Sequence, residues 1–373
     1  MKQTILTITL AALIPVSAIA AGQNPLKVNA TELPIPIHAS EAIKSFLTVA
    51  PAPLNSEVVQ NIQLPQTKSE WKQYIEQFDA PGAEQGRKQA EQFSVKFEVS
   101  TFEGVEIYTV TPETVAPKYK NNVFVHIHGG AWIYGGNDSL LREATITAHK
   151  LQIPVISINY RKAPEHPAPS AVNDIVTVWS ALLKERPANS MMLGGTSAGG
   201  NLTAASVHRM KDVGLPTPAA LFIGTPAADI QKKTDSRFVN DGVDGGLGTW
   251  DVGIEAAVDL YIGNLDPTSP YLSPIYGDFS EFPPTILVSG TRDLMLSDTV
   301  LMHRAIRDAG AMADLHIYEA HSHGFYMLPG DDRANFYAEM DAFANTHLVK
   351  YEDVVKGEPP HLLLSDFLIP ETK

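Results

Sequence analysis

From about residue 120 onward, short apolar runs alternate with longer amphipathic stretches. The runs are Val123–Ile127, Pro154–Asn159, Met191–Gly194, Ala220–Gly224, Thr285–Ser289 and Leu315–Tyr318. They are four to six residues long and rich in Val, Ile and Leu, which predicts strands buried on both faces. Between them, Ser170–Lys184 places Val172, Ile175, Val176, Trp179 and Leu183 at three-to-four spacing, which predicts a helix. Asn201–Lys211, Ser297–Ala309 and Asp331–Leu348 read the same way. Strands alternating with helices of this length imply an α/β fold with a mainly parallel sheet covered by helices on both faces. Such sheets place ligand sites at the carboxyl ends of their strands, so chemistry is expected there.

Two stretches break the alternation. Residues 21–95 begin rich in proline (Pro34, Pro36, Pro51, Pro53, Pro65) and then turn helical around Glu41–Val49 and Ser69–Phe78. The interval 229–271 is long, rich in glycine at 242–248, and helix-like at Val252–Tyr261. Loops of this length inside a domain are usually functional, and the two stretches are expected to form a lid or cap over the site. The organisation read from the sequence is a signal peptide at 1–20, an N-terminal cap segment at 21–95, a catalytic domain at 96–350 with a cap insertion at about 229–271, and a tail at 351–373. No repeat of 20 to 50 residues is present.

Composition narrows the function. The formal charge of −14 disfavours nucleic acid and anionic membrane surfaces as partners. The absence of cysteine removes disulfides, thiolate metal sites and cysteine nucleophiles. At the start of the chain, Lys2 precedes an apolar run from Ile5 to Ala20, broken by Pro15 and closed by the small-x-small pattern Ala18-Ile19-Ala20. This predicts a cleaved secretory signal, a mature start near Ala21 and a periplasmic or secreted protein without stable membrane insertion.

The strongest chemical signal is Gly195-Thr196-Ser197-Ala198-Gly199, set between a predicted strand and a predicted helix. A serine on such a turn has strained backbone geometry that lifts its hydroxyl above the sheet, and flanking glycines avoid collisions with neighbouring backbone. Serine needs a base oriented by an acid, and in this setting the chain order is Ser, then Asp or Glu, then His. Asp293 follows the run Thr285–Ser289, and His323 follows Leu315–Tyr318, both at strand ends. Asp298 is the competing acid; its plainer role is an acidic side chain favourable to a helix N-terminus. His128-Gly129-Gly130-Ala131-Trp132 follows Val123–Ile127 directly, where small residues let backbone N–H groups approach a developing oxyanion.

Taken together, His128–Trp132, the run Tyr160-Arg161-Lys162-Ala163-Pro164-Glu165-His166-Pro167, the G-T-S-A-G-G-N elbow at Gly195–Asn201, Leu272-Ser273-Pro274, Asp293 and His323-Gly324-Phe325 resemble the hormone-sensitive-lipase-like (bacterial family IV) esterases of the α/β-hydrolase superfamily, in their GTSAG subgroup. The resemblance covers roughly residues 121–348. It implies Ser197 as nucleophile, His323 as general base and acid, and Asp293 as orienting carboxylate. It also implies an oxyanion hole from the amides of Gly130, Ala131 and Ala198, shaped by Gly129. Ala131 stands where the family commonly has a third glycine, and Asp293-Leu294-Met295 where it often has Asp-Pro-Leu. Glu165 and His166 resemble a structural stretch. The expected function is hydrolysis of short- to medium-chain carboxylic esters through an acyl-enzyme, with a small-molecule ester as partner and neither cofactor nor metal. His321 and His323 fit the surroundings of a triad better than a metal site. The same triad would also serve an amidase, peptidase or lactonase, whereas a non-catalytic binding protein on this fold would usually have lost a triad member.

Overall fold

In the computed structural model of the chain, which describes residues 32–49, 52–349 and 368–371, every apolar run of the sequence is a strand. The expected signal segment lies outside the described residues, as does most of the tail. Among the described residues eight strands form one sheet: β1 (Lys96–Phe102), β2 (Val105–Thr111), β3 (Val123–Ile127), β4 (Val155–Ile158), β5 (Met191–Thr196), β6 (Ala220–Gly224), β7 (Thr285–Gly290) and β8 (Ala313–Tyr318). The spatial order is β1-β2-β4-β3-β5-β6-β7-β8. The first two strands run antiparallel to their neighbours, and all pairings from β4 to β8 are parallel.

Alternate residues of the central strands feed two separate cores. Val123, Val125, Ile127, Leu193, Leu221, Ile223 and Leu287 face one core. Phe124, Met192, Phe222, Ile286 and Val288 face the other. Both faces are covered, so the strands are apolar throughout rather than alternating. The first core is closed by α5 (Ser170–Leu183), α6 (Ala198–Asp212) and α9 (Leu296–Asp308) through Trp179, Leu202 and Ile306. The second is closed by α4 (Leu141–Leu151) and α10 (Asp331–His347) through Ala144, Phe336 and Met340. Residues 368–371 return to α5, where the Asn173 side chain bonds the backbone of Ile369 in both directions at 2.8 and 2.7 Å.

Elements absent from the sequence reading share a physical cause. β1 and β2 form an edge hairpin whose side chains are largely exposed or half-buried, so no apolar run marks them. Their connection, Glu103-Gly104, takes positive φ at both residues (48° and 86°), as a two-residue hairpin turn requires. In α4 the buried face carries Glu143, Thr145 and Thr147, which mask its period.

The N-terminal segment contains α1 (Glu41–Val49), α2 (Ser56–Val59) and α3 (Lys68–Gln92), and the 229–271 interval contains α7 (Ser236–Val239) and α8 (Gly253–Tyr261). The helical signal read in the sequence ends near Phe78, ahead of Pro81-Gly82. The helix instead runs on through both to Gln92. Its start is fixed by a capping box in which Thr67 and Glu70 each satisfy the other's backbone N–H. Gly82 and Gly86 are buried where α3 crosses the segment from Asp138 to Arg142. A methyl group at 86 would lie 2.7 Å from the Asp138 carbonyl oxygen and 2.9 Å from Leu141 Cβ. At 82 the first obstacle is the Ser139 hydroxyl, at 2.5 Å.

This contrast sets a stability test. Alanine favours a helix over glycine by about 1 kcal/mol, while overpacking against backbone costs about 1–3 kcal/mol. Gly86→Ala is expected to destabilise by about 1 kcal/mol or more, because a carbonyl cannot rotate away. Gly82→Ala is expected to be close to neutral, because a serine hydroxyl can. Urea unfolding midpoints of both variants against the parent check this, and equal midpoints would contradict the packing described.

Candidate active site

Ser197 sits on the turn between β5 and α6 with φ 61° and ψ −121°, a sparsely populated region costing about 1–3 kcal/mol for a residue with a side chain. Its N–H donates to Gly224 O at the end of β6, at 2.7 Å. The flanking glycines are dictated by contact with β3. A Cβ at 195 would stand 1.8 Å from Ile127 O, and one at 199 would stand 2.1 Å from the same oxygen. Ser197 itself is half-buried, unlike the fully buried turn residues around it.

The loop after β3 lies against this turn. A Cβ on Gly129 would approach Thr196 O at 2.7 Å and Ser197 Cβ at 3.5 Å. Gly130 has φ 116°, and a side chain there would meet Tyr134 O at 2.4 Å. Ala131 and Trp132 follow with φ 48° and 63°. The N–H groups of Gly130, Ala131 and Ala198 donate to no protein acceptor among the described residues. Neighbouring groups lock the loop. His128 stacks on Tyr160 at 4.1 Å, bonds Gly129 O at 2.8 Å, and is kept neutral by burial. Trp132 stacks on Tyr261 and donates to Asn201 Oδ1 at 3.1 Å, while the Asn201 amide reaches Ala227 O and Leu272 O. Asn201 therefore joins the elbow motif to the Leu272-Ser273-Pro274 motif. From outside, α3 covers the same loop: Phe78 packs on Tyr134 at 4.3 Å, and Asp79 accepts from Gly135 N at 2.9 Å.

Asp293 and His323 meet. The Nδ1–H of His323 donates to Asp293 Oδ1 at 3.0 Å. That oxygen also accepts from Met295 N at 2.8 Å, and Oδ2 accepts from Ser289 Oγ at 2.7 Å. The carboxylate is fully buried and the imidazole nearly so. The opposite ring nitrogen, Nε2, is buried and has no hydrogen-bond partner among the described residues. Burial opposes the imidazolium, but the bonded Asp293 carboxylate and the nearby Asp244 outweigh it, so the His323 pKa is raised above its ordinary 6.5. Three residues on, the Tyr326 hydroxyl lies 2.5 Å from Thr196 Oγ1, which joins the histidine loop to the serine turn. Thr196 also donates to the buried Glu143 carboxylate, whose other oxygen is 3.2 Å from His126 Nε2.

Asp298 lies in the first turn of α9, as expected for an acid that favours a helix N-terminus, and there it also takes a further part. It is buried in an ion pair with Arg237 at 2.5 Å and accepts from Ala228 N, Asp229 N and Thr234 Oγ1. Arg237 stacks on Trp250 at 3.9 Å. Asp298 thereby pins the start of the 229–271 interval to α9 and makes no contact with His323. His321 is turned away as well, with Nε2 on Asp332 at 2.7 Å. Glu165 and His166 are exposed.

One buried carboxylate beside the pair escaped the sequence reading. Asp244, in the 229–271 interval, has an oxygen within 4.8 Å of both an Asp293 oxygen and a His323 ring nitrogen. Its only sequence signal, Asp followed by Gly245-Gly246, reads as an ordinary turn. All four oxygens of the two carboxylates already accept N–H or O–H donors.

Comparison with known proteins agrees with this fold. Residues 124–327 match the family described as alpha/beta hydrolase fold. The chain is 40% identical to the solved esterase E25, with a TM-score of 0.84, covering 88% of this chain and 100% of that one. It is 25% identical to a solved hormone-sensitive lipase from a metagenome library, with a TM-score of 0.71 and coverage of 83% and 100%. Among curated relatives, an acetyl-hydrolase of Streptomyces hygroscopicus is 29% identical over 54% of this chain and 67% of its own length. An esterase of Acinetobacter venetianus is 28% identical over 58% and 71%. A family match across more than half of the chain, and structural likeness along the whole of a solved esterase, place this protein in the α/β-hydrolase fold family, within its hormone-sensitive-lipase-like branch.

Proposed function

We propose that the protein is a serine carboxylesterase in which Ser197, His323 and Asp293 act together. The observation that carries this reading is the imidazole of His323, held through Nδ1–H by a buried carboxylate while its buried Nε2 has no partner among the described residues. An imidazole in that tautomer is a base waiting for a proton. The Ser197 hydroxyl passes its proton to Nε2 as Oγ attacks the ester carbonyl. The N–H groups of Gly130, Ala131 and Ala198 receive the oxyanion, with Gly129 shaping their loop. The alcohol leaves with the proton from Nε2, and water then releases the acid by the same steps. The names of the relatives, esterase and acetyl-hydrolase, support an ester as the bond broken.

The N-terminal segment and the 229–271 interval serve as the cap. Leu54 packs on Gly248, the Ser56 hydroxyl donates to Asp241 at 2.8 Å, and Phe46 packs on Phe325 at 4.6 Å, two residues beyond His323. A cap in contact with the histidine loop bounds the acyl pocket and favours short chains. Export through cleavage near Ala21 belongs to the same reading and rests on the sequence; among the described residues no helix is long and apolar enough to cross a membrane.

Four expectations follow from this reading. Asp293→Asn removes the orienting charge and is expected to lower kcat by about 10³–10⁴-fold in a folded protein. Asp298→Asn is expected to change kcat less than about tenfold but to cost about 3 kcal/mol, because it leaves Arg237 buried without its counter-charge. Kinetics and denaturant unfolding on both variants check the pair, and the opposite pattern would overturn the assignment of the acid. Because the base must be neutral and its pKa is raised, activity is lost as pH falls through a value above 6.5. The acid limb of kcat/KM for a neutral ester is therefore expected to have its midpoint above pH 6.5, and a midpoint below 6 would contradict it. A profile over p-nitrophenyl esters is expected to peak at acyl chains of up to about eight carbons, as befits a bounded pocket. Efficient hydrolysis of emulsified triolein would contradict the cap.

A further inference from the structure

The Asp293–His323 pair is flanked by an acid that the proposed reaction does not use. Asp244 is fully buried. Its Oδ1 accepts from Gly246 N at 2.8 Å, Leu247 N at 3.1 Å and His323 N at 3.2 Å, and its Oδ2 accepts from Leu294 N at 2.8 Å. One side chain thus grips the backbone of the histidine itself and of the residue next to Asp293. It does so from a loop that reaches neither by sequence: β7 and β8 carry those residues, while Asp244 follows β6. Two buried carboxylates within 4.8 Å of one imidazole are costly unless each is well supplied with donors, and here each is.

We propose that Asp244 is a positioning residue of the esterase: it holds the loops of His323 and Asp293 together and supplies a second negative charge to the imidazolium that forms during ester cleavage. The inference rests on the catalytic reading of Ser197, His323 and Asp293. Charge and geometry act together. The charged groups that bear on the His323 ring are Asp293, on the turn after β7, and Asp244, on the loop after β6. On its own loop, His321 is committed to Asp332. Arg237, whose charge reaches Asp293, is paired with Asp298. Asp244 is itself pushed up by burial and by Asp293, against the pull of His323 and its N–H donors. The same loop also joins the cap to the chemistry. Asp241, three residues earlier, is bonded by Ser56, and Gly248 lies under Leu54.

The test is hydrolysis of p-nitrophenyl butyrate across pH by Asp244→Asn and Asp244→Ser, beside Ser197→Ala and His323→Ala. Asparagine offers one acceptor oxygen where aspartate offers two, and serine keeps an acceptor for the Gly246 turn without the charge. Circular dichroism and thermal melting establish that each variant is folded. In at least one folded Asp244 variant, kcat is expected to fall about 10- to 100-fold with KM within about twofold. The acid limb is expected to move down by about one pH unit, since removing a neighbouring negative charge disfavours the imidazolium. A limb that stays in place, with or without a lower kcat, would overturn the proposal, as would failure of both variants to fold. If instead Ser197→Ala or His323→Ala remains active, the catalytic reading itself has failed. A dead pair of controls with an unshifted Asp244 limb sinks the positioning role alone.

Discussion

The carbonyl oxygen of Ile127, at the end of the third strand, sets the geometry around it. The turn bearing Ser197 lies so close to this oxygen that a Cβ at 195 or 199 would fall about 2 Å away, well inside contact distance. The close approach forces the serine into a strained conformation and stacks Gly129 against it. In the proposed reaction the N–H groups of Gly130, Ala131 and Ala198, which donate to no acceptor among the described residues, receive the oxyanion. The strain is sustained because the turn is anchored on both sides, by Ser197 N–H on Gly224 O and by the buried Thr196–Tyr326 contact. Ala131 shows what the constraint spares: its φ of 48° carries a methyl group, while Gly130, facing Tyr134 O, could not.

Around that turn the fold distributes buried carboxylates by the donors each receives. Asp298 is matched to Arg237 and three other donors and fastens the 229–271 interval to α9. Asp293 accepts from a backbone N–H, a serine hydroxyl and the imidazole, which leaves its charge directed at His323. Among the described residues Asp244 has only backbone donors and sits between the other two kinds: a structural tie that also faces the histidine. Each arrangement is expensive to break from one side, because the remaining partner stays buried.

Much of the central sheet and the proposed site was legible in the sequence because both depend on local signals. Strands buried on two faces must be apolar throughout, so Val123–Ile127 and Ala220–Gly224 appear with the boundaries the structure has. The site residues follow strand ends, and Ser197, Asp293, His323 and the Gly129–Ala131 loop are found there. What stayed hidden was non-local. Pro81-Gly82 resembles a helix end, yet α3 continues because Gly82 and Gly86 let it press on another segment. Asp298 was legible as an acid of a helix's first turn, but its pairing with Arg237, 61 residues away in sequence, was not. Asp244 resembled a turn residue because its grip on Leu294 and His323 spans 50 and 79 residues.

The account stands or falls on Ser197 as the atom that takes the acyl group. Incubating the protein with a fluorophosphonate, which transfers phosphorus to an activated serine, and mapping the adduct by peptide mass spectrometry tests this directly. One adduct per chain is expected, on the peptide carrying Ser197, formed at the rate at which esterase activity disappears. An adduct on any other residue, or full loss of activity with Ser197 unmodified, would contradict it.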